Sequence, residues 1–518
     1  MNKIMNMVGI ILVFIIGITA ASPALAASFS TGGPVRVAVY TDSGVNPDKI
    51  LATFRAVQAA GFAFYGIGRS DIRAGRLTRS NYDVLLFPAG EADTKAAYSD
   101  AVTGLDSSAY KTPIKAFVNG GGGFVALEGG AYWVSQNGGT LDLYCGNYTR
   151  GATAGKTTLT ITDPGFGTGT QEVYQTAGGG YFSLPAGSTQ VAANSANKPV
   201  IARCAYGTGR VIVSAVDPEL RGDSELDWTV WDNWAMNGTQ ANSIGAWKLL
   251  GRMINWAATG TATLPAITET PNPTGARVAI VSTHTTDGGA WPGLIPAVAR
   301  AVEYSGYIPL SIRFDEIKGG KLTLSNFKVV IFPGGYSYGY KTGLSGYEVA
   351  IKNFASAGGG VMGICAGSYY LAKTVVWNGK TYPYAGLFAG TDTGPLTGLL
   401  YPSYTLTTTT INDPLIGSFG AQTQMYYGGG YKTNLAGSNA STVATYTYGS
   451  YNGQANAIRF TLGSGHVFLI GTHPESRSGS NEDWLTWDNY VENTNTPLTN
   501  PDNPWLFFKA VLDNWLTK

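Results

Sequence analysis

The sequence predicts an α/β chain of two tandem domains, each a mostly parallel sheet covered by helices on both faces. Three observations carry that reading. One set of motifs occurs twice in the same order. Within each half, short apolar runs alternate with stretches of helical period, as buried parallel strands joined by crossover helices require. Charged residues make up only 13% of the chain, against ~25% in ordinary soluble domains, while 44% are hydrophobic and 12% aromatic. Both halves therefore have material for a core, and disorder is excluded as the main state.

The repeat is explicit. Val211–Glu219 (VIVSAVDPE) aligns with Val467–Glu475 (VFLIGTHPE) at an offset of 256, and the same offset aligns Asp227-Trp228-x-x-Trp231-Asp232-Asn233 with Asp483-Trp484-x-x-Trp487-Asp488-Asn489. Upstream, Asn81–Pro88 matches Asn326–Pro333, and Gly121–Gly130 matches Gly358–Gly367. Several anchors in one order indicate duplicated domains.

Taken from the N-terminus, Lys3, an apolar run from Met7 to Ile18, Pro23 and Ala24-Leu25-Ala26 read as a secretory signal over residues 1–26. The run is shorter than the ~20 residues of a membrane span. A retained anchor is the alternative reading. The mature chain is expected to be secreted or extracytoplasmic and to carry no membrane span. The first domain is expected over 28–256 and the second over 276–518. Between them, 257–275 is rich in Thr, Ala and Pro and reads as an extended linker.

Each domain opens on a β-branched run, Val35–Tyr40 or Arg277–Ser282, followed by a helical stretch, Lys49–Ala60 or Leu294–Ser305. A second apolar run ends at Phe87-Pro88 or Phe332-Pro333, and a third leads into Glu128 or Cys365. Trp-bearing helices close the halves at Ile244–Trp256 and Trp505–Leu516. From Tyr401 to Tyr451 the composition turns to Thr, Tyr and Gly and suggests irregular strands.

The charge balance, 34 Lys+Arg against 33 Asp+Glu, offers no electrostatic reason to bind nucleic acid. Three Cys and three His are too few for a zinc cluster or a disulfide scaffold, and no cofactor or metal is expected.

The chemistry lies in the second half. Gly363-Ile-Cys365-Ala-Gly367 has an apolar run before it and a helix-compatible run after it, the layout of a nucleophile elbow. Such a turn lifts the sulfur above the sheet, and a helix N-terminus favours a thiolate. A buried structural Cys is the competing reading. His473 follows the strand Val467–Ile470 and begins His473-Pro474-Glu475. Parallel sheets put their sites at the rim where strands end, so His473 can take the thiol proton while Glu475 orients the imidazole. The N–H groups at Gly334 and Gly335, with that of Ala366, are the candidates for an oxyanion hole. His284, Tyr336 and Ser368 are candidate substrate contacts, and for His284 a solvated loop position stands as the alternative.

Gly363–Tyr370 (GICAGSYY), Phe332–Gly335 (FPGG), Tyr426–Gly430 (YYGGG) and Gly471–Glu475 (GTHPE) resemble the biotin–protein ligase N-terminal domain family of the class I glutamine amidotransferase-like superfamily. The resemblance spans most of the second half and is weaker but collinear in the first. It implies flavodoxin-like sheets, with Cys365 as nucleophile, His473 as base, Glu475 as orienting residue, and Gly334 and Gly335 near the oxyanion. No biotinyl-adenylate loop of the GRGRxG type occurs, so biotin transfer is not inferred. No synthetase domain is attached that would accept ammonia. A hydrolase acting on a small-molecule or peptide amide fits the expected location.

The first half carries Glu128 where the second has Cys365, and Asp217 where it has His473; no His occurs before residue 284. Thiol–imidazole chemistry is impossible there. Glu128, Asp217 and Glu219 read as a degenerate site, with an acid/base pair or a cation site as the sharper alternative. Cys145 and Cys204 are confined to the first half and form a candidate disulfide, with two separate thiols as the alternative. His466 aligns with Arg210 at a strand start and reads as structural. The rival to the enzyme is an extracellular ligand- or carbohydrate-binding protein with a vestigial triad.

Overall fold

The computed structural model describes residues 35–42, 44–90, 108–137, 141–176, 179–221, 243–264, 267, 275–285, 287–399, 405–477 and 502–518. The expected signal segment, both Asp-Trp motifs and residues 265–266 and 268–274 of the expected linker lie outside the described residues. Pro34–Lys518 forms one compact unit. Among the described residues no helix is long and apolar enough to cross a membrane.

In the first half, β1 (Arg36–Tyr40), β2 (Ala63–Ile67), β3 (Val84–Phe87), β4 (Gly123–Leu127) and β5 (Gly209–Ser214) run parallel in the order β2-β1-β3-β4-β5. That order is flavodoxin-like. Antiparallel strands at Pro199–Tyr206, Ser188–Ala193, Gly155–Ile161 and Gly169–Gln175 extend the sheet to nine. Its helices include α1 (Pro47–Ala59), α2 (Ser108–Asn119), α3 (Glu128–Val134) and α4 (Ser243–Thr259). Pro47 presets φ at the start of α1, Asp48 complements the dipole in its first turn, and Gly61 (φ 74°) follows its end.

The second half repeats the plan. β6 (Arg277–Val281), β7 (Ile308–Ile312), β8 (Val329–Phe332), β9 (Gly360–Ile364) and β12 (Gly465–Ile470) run parallel in the order β7-β6-β8-β9-β12. The hairpin β10 (Ala372–Trp377) and β11 (Lys380–Pro383) forms the far edge of this 13-stranded sheet. The Thr- and Tyr-rich segment supplies antiparallel strands Thr405–Asp413, Gly417–Tyr426, Tyr431–Thr433 and Ser441–Tyr446. The second half's helices include α5 (Ile295–Tyr304), α6 (Ser337–Gly343), α7 (Glu348–Ser356), α8 (Ala366–Leu371) and α9 (Asp502–Val511).

The central strands are inaccessible on both faces, which is why they read as unbroken apolar runs: every side chain of β3 and β8 is fully buried. Each such Val, Leu, Ile or Phe contributes about 1.5–3 kcal/mol. The two halves also share polar anchors. Trp247 Nε1 donates to Glu219 O at 2.7 Å, and Trp505 Nε1 to Glu475 O at 2.7 Å. Arg203 pairs with Asp163 at 2.7 Å and covers Trp256, as Arg459 pairs with Asp413 at 2.8 Å and covers Trp515. The halves meet through α1 and α5, where Arg55 lies 3.6 Å from Glu303, and through Arg313 after β7, 3.8 Å from Asp48.

Candidate active site

Cys365 sits between β9 and α8 with φ 49° and ψ −105°. A non-glycine residue held there costs about 1–3 kcal/mol, so the surrounding structure must over-determine the turn. It does: Cys365 N donates to Ile470 O at 2.8 Å, and Tyr369 N donates to Cys365 O at 3.1 Å. The flanking glycines are required by close approach. A Cβ at Gly367 would lie 2.0 Å from Phe332 O, and one at Gly363 would lie 2.8 Å from Gly367 O. Cys365 is 4% exposed, and its thiol donates to Tyr427 O at 3.3 Å.

The loop after β12 brings His473 to the same place. His473 N donates to Met425 O at 2.9 Å, and its Nδ1 lies 2.8 Å from Glu475 Oε1. Both side chains are buried. Burial opposes a charge on His473, but the Glu475 carboxylate and then the adjacent Cys365 sulfur outweigh it, and the imidazole pKa is pushed up to about 10. His473 Nε2 has no hydrogen-bond partner in this resting arrangement. Cys365, His473 and Glu475 therefore meet, with an imidazole held in one orientation beside a thiol.

A buried polar network braces the loop. Asn456 Oδ1 accepts from Gly471 N at 3.1 Å and Thr472 N at 3.2 Å, and Thr472 Oγ1 donates to Gln424 Oε1 at 2.6 Å. Lys432 Nζ donates to Asn456 O at 3.0 Å and lies 3.5 Å from Asp392. Burial raises the Asp392 pKa and lowers that of Lys432, with each working against the other's shift.

Gly334 lies against His473: a Cβ there would be 2.4 Å from Cε1. Gly335, Ala366 and Tyr336 line a pocket of about 490 Å³ whose floor is Cys365. Ala366 opens α8, where first-turn N–H groups have no acceptor within the helix. Two expected substrate contacts are corrected. Ser368 is fully buried and donates to Asp392 Oδ2 at 2.6 Å, because the third position of α8 faces the interior. His284 does not line the pocket; its Nδ1 lies 3.0 Å from Ala290 O and its ring meets Trp291 edge-on. His466 packs on Trp515 at 4.4 Å, in a structural position.

Sequence reading missed the pocket wall: Trp377, Tyr382 and Tyr384 on and beside the β10–β11 hairpin. Its signal was present, since Asn378-Gly379 between two β-type runs marks a hairpin turn. Asp392 and Lys432 left no such signal, because lone charges far apart in sequence show no period.

The first half holds Glu128 at the matching turn, with φ 41°. Burial and then the Asp217 carboxylate push its pKa well up. Burial also raises Asp217, against the pull of the Lys49 ammonium at 3.9 Å. Glu128, Asp217 and Glu219 are all buried, and Glu219 joins the pair electrostatically. Among the described residues no group of carboxylates, thiols and imidazoles has the arrangement of a metal site. The expected Cys145–Cys204 bridge is a further correction. Both are free thiols, adjacent to one another, and burial together with Cys145 pushes the Cys204 thiol up to about 12.

Residues 324–514 match the family model for the N-terminal part of biotin-protein ligase. A curated relative, the PurQ subunit of phosphoribosylformylglycinamidine synthase from Treponema denticola, is 31% identical over 91 residues, 16% of this chain and 34% of its own length. The chain thus spans about a third of that relative. Among solved structures, PurLQS from Thermotoga maritima is 17% identical at a TM-score of 0.32, over 46% of this chain and 99% of its own. A glutamine amidotransferase from the same organism is 13% identical at a TM-score of 0.32, over 42% and 98%.

Proposed function

We propose that the second half is a Cys-dependent hydrolase of carbon–nitrogen amide bonds. One observation carries the reading: a thiol on a strained elbow forms the floor of a pocket, beside an imidazole already bonded to a buried carboxylate. The match over residues 324–514 and the likeness to the PurQ subunit support it.

In the proposed reaction His473 holds the proton of Cys365, and the thiolate attacks the amide carbonyl. The oxygen of the tetrahedral intermediate takes hydrogen bonds from the N–H groups of Ala366 and Gly335. His473 passes its proton to the leaving nitrogen, the C–N bond breaks, and a thioester to Cys365 remains. His473 then deprotonates a water that attacks the thioester, releasing the acid and restoring the thiol. Glu475 holds the imidazole in place and stabilises its charge. The first half has no His in its sequence to pair with a thiol and is proposed to be non-catalytic. The N-terminal segment supports action outside the cytoplasm.

The test is iodoacetamide labelling of Cys365 against pH, located by mass spectrometry, in wild type and His473→Ala. Rapid labelling at pH 6 that collapses in the variant is the expected outcome. Labelling that follows an unperturbed thiol near pH 8.5 in both would refute it and leave the ligand-binding protein.

A further inference from the structure

We propose that the pocket over Cys365 selects amides whose acyl part carries a bulky, uncharged ring, in preference to free glutamine; this rests on the hydrolase reading above. The pocket, about 490 Å³, is of the size that drug-sized ligands fill. Its inner wall is Tyr369 and Trp377, packed edge to face at 5.6 Å. Its rim is Tyr336, Tyr338 and Tyr382, which are 49%, 57% and 39% exposed. The inner tyrosine hydroxyls are already engaged: Tyr369 donates to Gly428 O at 2.9 Å, and Tyr384 bonds Ser337 at 3.0 Å. What they leave for a ligand is ring surface.

Charge is sparse in the lining. Of the lining residues only Asp287 and Lys341 are charged; Asp287 is exposed, and the Lys341 ammonium rests over the Tyr384 ring at 5.2 Å. Free glutamine would carry an ammonium and a carboxylate into the aromatic interior, where a desolvated charge needs a partner. A neutral ring would meet offset or edge-on aromatic faces instead.

The duplication gives an independent indication. The β10–β11 hairpin follows the nucleophile helix directly and supplies Val375, Trp377 and Tyr382 to the pocket. After α3 in the first half no corresponding hairpin occurs among the described residues. Among the described residues, the hairpin that carries Trp377 and Tyr382 accompanies the thiol's helix and not that of Glu128.

The ring can be aromatic or a sugar, and protection of Cys365 in the full chain separates these sources. Iodoacetamide labelling is followed with N-acetylphenylalaninamide, glucuronamide, glutamine or acetamide present. These are all primary carboxamides, so only the acyl part varies. At least one ring amide is expected to halve the labelling rate at a concentration about tenfold below that of glutamine. Trp377→Ala, and independently the exposed-site variant Tyr382→Ala, are expected to remove most of that difference when each variant's protected rate is read against its own unprotected rate. Glutamine protecting as well as both ring amides, or indifference to both substitutions, overturns the proposal. Failure of the hydrolase reading shows separately, as labelling that does not depend on His473.

Discussion

Cys365 and Glu128 share a positive φ, 49° and 41°, at the same junction between a parallel strand and the helix after it. Both halves keep a strained turn, and both bury the side chain it presents. The difference is chemical. One turn offers a thiol to an imidazole, and the other offers a carboxyl to a second carboxyl.

The charge of Glu475 holds a proton on His473. With the imidazole raised from its ordinary value to about 10, its stabilising contribution is complete below about pH 6.5 and is lost as pH rises through about 10. His473-dependent labelling should persist over the same window. Glu475→Gln should lower the upper limit of that window and slow labelling at pH 7 by at least about tenfold. A pH–rate profile of labelling checks both.

Gly334→Ala should disable the site without unfolding the chain. The added methyl would lie 2.4 Å from His473 Cε1 and 2.8 Å from Leu294 Cδ1, so the imidazole must move. Labelling should fall to the level of His473→Ala, while the loss in stability stays within the 1–3 kcal/mol of ordinary overpacking. Thermal unfolding and labelling together distinguish this from a folding defect.

Glu128→Gln should stabilise the protein above neutral pH. Burial and Asp217 keep the Glu128 carboxyl protonated, so folding must take up a proton once pH exceeds the carboxyl's ordinary value. A raised folded-state pKa gives a contribution present at low pH and lost as pH rises. Gln removes that loss, by up to about 1.4 kcal/mol per pH unit until the folded-state pKa is reached. Unfolding at pH 4 and pH 8 should show a gain only at the higher pH.

Lys432→Met should cost about 3–5 kcal/mol, because it strands the Asp392 carboxylate where neither partner is exposed. Adding Asp392→Asn should recover most of the loss, since the uncompensated charge is then gone. Denaturant unfolding of the single and double variants measures this.

Much of the architecture was legible in residue order. The doubled motifs, the apolar runs of β3 and β8 and the punctuation of α1 each depend on neighbours close in the chain, so local spacing reveals them. The elbow at Cys365 and the His473-Pro474-Glu475 segment were visible for the same reason: each is a strand end followed by a turn. Asn378-Gly379 announced a hairpin, but nothing local said that its aromatic side chains would stand over a thiol.

By itself, then, the sequence determined the duplicated α/β plan, the one half able to carry thiol–imidazole chemistry, and the strained position at which each half presents its side chain. Tertiary structure alone decided that Ser368 turns inward to Asp392, that His284 bonds Ala290, that Cys145 and Cys204 lie adjacent as free thiols, and that an aromatic lining with two charged residues stands over Cys365. The physical reason is range. Periodicity and turn chemistry act over a few residues, whereas burial and the pairing of distant strands choose which polar groups share one interior.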